Sequence, residues 1–160
     1  MSASSTSQNE GYSIFFSHKV KDELVTRKII DLIHRNTENV QCFVSEDITK
    51  GKDWRHEIAL HLRLSSILVL IFTDPDEDWG WCLYETGFFD ALMQIPDAAQ
   101  TRLICCLHNM STTPPSPIAN LQTIKAQPED VSNWLSELFK YTNQTKKEKY
   151  RCLLILILPK

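Results

Sequence analysis

Six apolar residues in succession, Ile67, Leu68, Val69, Leu70, Ile71 and Phe72, closed off by Thr73, Asp74 and Pro75, limit this chain more than any other segment. A half-buried strand alternates and an amphipathic helix repeats every three or four residues. A continuous run this short fits a strand covered on both faces, at the middle of a parallel sheet. The flanking segments agree. Residues 12–16 are a short β-prone run, followed by Val25, Ile29, Leu32 and Ile33 at helical spacing behind Asp22. Residues 41–44 read as a second strand, then comes the polar loop 45–53 and a helix with Trp54, Ile58 and Leu62 on one face. Beyond the central run, residues 81–93 read as a helix and 103–107 as a fourth strand ending at His108, with a proline-rich loop after it. Residues 121–126 form a weak fifth strand, and Val131, Trp134, Leu135, Leu138 and Phe139 mark a helix that begins just after Pro128.

Five strand–helix repeats without internal sequence repetition predict an α/β fold: a flavodoxin-like, doubly wound sheet of about five parallel strands with helices on both faces. Ligands of such sheets sit beyond the carboxyl ends of the strands, where the strand order reverses. The first and third strands flank that point. Ser17 and His18 are delivered there by the first strand, Thr73 and Asp74 by the third, and the loop around Asp47 by the second.

A chain of 160 residues, 42% hydrophobic and 23% charged, suits one folded domain. Its expected extent is 11–142. The Ser- and Thr-rich stretch 1–10 reads as a disordered leader, and 143–160 as a linker with an apolar strand that leads into a further C-terminal domain. The final apolar run, residues 152–158, is too short for a membrane helix. A net charge of −3 gives no broad basic field, so neither direct nucleic-acid binding nor an anionic membrane is expected. Five cysteines without a CxxC pair or a regular framework predict reduced thiols and a cytoplasmic location. Adjacent Cys105 and Cys106 would point to opposite faces of one strand.

Several sites of chemistry are excluded by spacing. The four glycines, Gly11, Gly51, Gly80 and Gly87, build neither a Walker loop nor GxGxxG. His56 and His61 stand five apart, one residue too many for the zinc-protease helix, so no metal is expected there. The acidic loop 74–78 lacks the ligand spacing of an EF-hand, and Lys146, Lys147, Lys149 and Arg151 read as a solvated helix end or linker. A phosphorelay receiver would need an acidic pair after the first strand, where Ser17 and His18 stand. Trp81, Cys82, Leu83, Tyr84 and Glu85 are more informative, because an indole and a carboxylate four apart share one face of a helix. Burying an unpaired carboxylate beside Phe88 and Phe89 would be costly. Spacing alone leans slightly to Glu85 on the wet face of the helix with Trp81 packing.

Ile14 to His18 resembles the opening strand motif of TIR (Toll/interleukin-1 receptor) domains. Asp47 through Gly51 to Trp54 resembles their second-strand loop, and Trp81 to Glu85 their WCxxE helix. Order and spacing match across 11–142. The resemblance implies a family divided between signalling scaffolds and enzymes that hydrolyse or cyclise NAD, with the helix glutamate catalytic in the enzymes. By position, Glu85 takes that role and Trp81 lies beside the nicotinamide ribose. Phe16, Ser17 and His18 would line the pocket, and Asp47, Lys50 and Trp54 would belong to a loop that closes over the ligand or meets a neighbouring TIR domain. Thr73 would add a polar contact, although between Thr73 and Gly80 this chain carries Asp, Glu and Gly where the family often has serines. NAD would be the substrate, with no cofactor. The implied role is a bacterial-type NAD glycohydrolase releasing nicotinamide and linear or cyclic ADP-ribose, an antiviral defence effector driven by self-association through a sensor domain or partner. The alternative is a non-catalytic TIR interaction module.

Overall fold

A computed structural model describes residues 12–76, 78–96, 102–109, 111–114, 116, 118–121 and 123–141. The expected leader, the linker with its apolar strand, and Cys152 lie outside the described residues. The strands are β1 (Tyr12–Ser17), β2 (Val40–Val44), β3 (Ile67–Phe72), β4 (Leu103–His108) and β5 (Thr123–Lys125), and the helices α1 (Glu23–Asn36), α2 (Trp54–Leu64), α3 (Gly80–Met93) and α4 (Pro128–Tyr141). Short 3-10 turns, Val20–Asp22 and Ser45–Asp47, follow β1 and β2. All strand pairings are parallel and the order is β2-β1-β3-β4-β5. This is the flavodoxin-like α/β sheet expected of the sequence, and β1 and β3 are adjacent at the reversal of strand order.

All six residues of β3 are buried, because helices cover the sheet on both sides. One layer packs α1 and α4, through Ile29, Ile33, Leu135 and Phe139, against Ile14, Phe16, Val69, Ile71 and Leu107. The other packs α2 and α3, through Ile58, Leu62, Cys82 and Phe89, against Phe15, Leu68, Leu70 and Phe72. Each fully buried side chain of this size contributes about 1.5–3 kcal/mol. Cys105 and Cys106 fall in opposite layers, and the described cysteines are free. No helix among the described residues is long and apolar enough to cross a membrane.

Local chemistry sets the helix ends. Asn36 Nδ2 and Thr37 Oγ1 donate to the carbonyls of Leu32 and Ile33, each at 2.7 Å, closing α1. The Asp53 carboxylate accepts from the His56 N–H at the start of α2. Gly51, with φ +93°, takes the left-handed turn of the loop before it. As the proline-rich stretch predicted, no helix is described between β4 and β5. One detail differs from the expectation. Trp54 does not join Ile58 and Leu62 in the core: it is 43% exposed and stacks on Trp81 of α3 instead.

Candidate active site

β1 ends at the reversal of strand order, and its last residue, Ser17, faces the α3 side. Its Oγ donates to Glu85 Oε2 at 2.5 Å, and Trp81 Nε1, one helical turn before Glu85, donates to Oε1 at 2.8 Å. Both carboxylate oxygens are therefore held by neutral donors. Glu85 is only 2% exposed, which rules out the wet-face arrangement. Burial, opposed by the two hydrogen bonds, pushes its pKa up to about 7. The Cys82 thiol, also buried beside Ser17, is pushed up to about 11 by desolvation and is inert rather than nucleophilic.

The indole of Trp81 is covered in turn by Trp54, whose ring stacks on it at 4.3 Å between centroids and 22° between planes. Ser17, Trp54, Trp81 and Glu85 thus form one connected group. The remaining expected residues are placed differently. Phe16 is fully buried in the layer under α1 and α4, so its ring packs the core opposite Glu85. Thr73 donates from Oγ1 to the buried carboxylate of Asp22, at 2.7 and 2.8 Å to its two oxygens, and so ties β3 to the turn after β1. Asp47 is clasped by Arg27 of α1, at 2.8 Å from Nη2, on the solvent side. Lys50 is exposed at the turn before Gly51.

His18 is the unusual member. Its side chain has no exposed surface, and neither ring nitrogen has a hydrogen-bond partner among the described residues. Glu46 Oε2 lies 3.8 Å from Nε2. Desolvation holds the imidazole pKa below its usual value in spite of Glu46, Glu23 and Asp22 nearby, so the ring is neutral at physiological pH and offers one donor and one acceptor. Glu46 also raises the Glu85 pKa by charge repulsion, so among the described residues it is electrostatically coupled to both His18 and Glu85. The resemblance pointed to its neighbour Asp47, and nothing in the residue pattern separates the two acids. Asp22 was likewise legible only as a helix-start residue.

Chemically, the group is a dry carboxylate poised to ionise, flanked by an indole and a hydroxyl, with an unpaired imidazole at the next position along the chain. It suits the stabilisation of a developing positive charge. Among the described residues no cluster of three or more His, Cys, Asp or Glu side chains is placed to hold a metal ion. No curated protein matches the chain. A protein-family profile does, over residues 14–139, and its description is TIR domain.

Proposed function

The chain belongs to the TIR domain family, and from that premise we propose that it cleaves the glycosidic bond between nicotinamide and ribose in NAD, with Glu85 as the catalytic carboxylate. One observation carries this reading: a carboxylate 2% exposed, bonded by Ser17 and Trp81 at the reversal point of the sheet.

Ordinary glycoside hydrolysis needs a second carboxyl group to protonate the leaving oxygen. The nicotinamide of NAD is already a cationic pyridinium and leaves as a neutral molecule, taking the bonding electron pair with it, so no general acid is required. The pyridinium stacks on Trp81 in place of Trp54, a cation–π contact of about 0.5–2 kcal/mol. Its positive charge draws Glu85 into the ionised form. The ionised carboxylate then binds the ribose hydroxyls and stabilises the oxocarbenium-like charge as the bond breaks. His18 supplies its free nitrogens to the ribose or its phosphate. Water completes the reaction to ADP-ribose, or an atom of the substrate closes a ring. The loop around Asp47, Lys50 and Trp54 opens and shuts over the ligand, and self-association driven by a sensor domain or partner, in antiviral defence, sets when it does so.

A second reading, a non-catalytic interaction module, draws on one feature. With Trp54 over Trp81 and Glu85 almost wholly covered, the pocket is shut in this arrangement. Chromatography of NAD incubated with the full chain at high concentration in a crowding agent separates the two. Release of nicotinamide by wild type and its loss in Glu85→Ala is the expected result. Equal release by both, or none by wild type, would end the enzymatic reading.

A further inference from the structure

Aromatic rings continue along the solvent side of α3 beyond the candidate pocket. Trp81 meets Tyr84 at 5.1 Å between centroids, Tyr84 meets Phe88 at 6.5 Å, and the Arg63 guanidinium of α2 stands 5.8 Å over the Phe88 ring. Steps of three and four residues align the three rings along one side of the helix. Tyr84 is 51% exposed. Single apolar side chains on a surface are ordinary. A row of rings that starts at the indole bonded to Glu85 and ends under a cation is a different matter, because it continues the reaction site outward.

We propose that Tyr84, backed by Phe88, is the stacking platform for the adenine ring of the dinucleotide. The proposal rests on the reading of Glu85 as an NAD-cleaving carboxylate. With the nicotinamide end at Trp81, the substrate's second planar base hangs on a flexible pyrophosphate. The two ring-to-ring steps from Trp81 to Phe88 lie within its reach. Flat aromatic faces bind a base by stacking, and the Arg63 guanidinium over Phe88 closes the far end of the row behind that platform. Contact with the half that does not react would supply binding shared equally by the ground and transition states.

Steady-state NAD cleavage by the full chain, with AMP and nicotinamide mononucleotide as competitors, tests this. Tyr84→Ala is expected to raise KM roughly tenfold and weaken AMP inhibition by about the same factor. In the same variant kcat and inhibition by the mononucleotide hold steady, and Tyr84→Phe behaves as wild type. An unchanged KM in Tyr84→Ala overturns the platform, as does equal weakening of both competitors, since that would mean a disturbed Trp81. A shift of Tyr84→Ala to monomer in sedimentation, with AMP inhibition intact, would make the row a contact between copies and overturn it too. Absence of nicotinamide release by wild type removes the NAD reading and the platform together, whereas release with an indifferent Tyr84→Ala removes the platform alone.

Discussion

At the scale of single residues, Glu85 bears a cost that function would explain. Its ordinary pKa of 4.5 is raised to about 7 in the folded chain, with desolvation the largest cause. Between those values the native state holds a proton that the unfolded chain has released. Folding stability therefore falls as pH rises through this window, and the full penalty, of order 3 kcal/mol, stands above pH 7. Glu85→Gln removes the titration while keeping the shape. The amide oxygen accepts from Trp81 Nε1, and the Ser17 hydroxyl rotates to accept from the amide nitrogen. Urea melts should find the variant more stable than wild type at pH 8 and the gap shrinking toward pH 4. A gap independent of pH would contradict this account of the carboxylate.

At the scale of elements, the strands and helices were legible because burial imposes its own period. β3 could be read from its unbroken apolar run, and α1 and α4 from their three- and four-residue spacing. The pairing of Ser17 with Glu85 was accessible only in outline. The two are 68 positions apart, and it takes the crossover through two helices to bring them to 2.5 Å. Spacing put Trp81 and Glu85 on one face but could not say which way that face turned. Phe16 lies in the other layer, under α1 and α4, because alternation along β1 turns its ring away from Ser17. The start of α2 matters because it carries Trp54 to Trp81. Asp53 caps that turn through the His56 N–H, and the Glu57 N–H bonds the Asp53 carbonyl at 3.0 Å. Asp53→Ala should cost about 1 kcal/mol, read as a lowered denaturation midpoint. A midpoint unchanged within error would show that the cap does not hold this turn.

At the scale of the whole molecule, two hydrophobic layers share a sheet whose central strand is sealed from water, and the parts beside the candidate site are loops and helix ends. Among those parts, the loop before α2 turns at a glycine with positive φ, and Asp47 in the preceding turn is held by a solvent-side pair with Arg27. Such a pair contributes little, about 1 kcal/mol or less. The two indoles, 4.3 Å apart and nearly parallel, have a consequence for how this chain can be watched. Chromophores that close exchange excitation and give a split band in ultraviolet circular dichroism. The resting chain should carry that couplet, Trp54→Phe should erase it, and any ligand that parts the rings should dim it, turning an otherwise silent conformational step into an optical one.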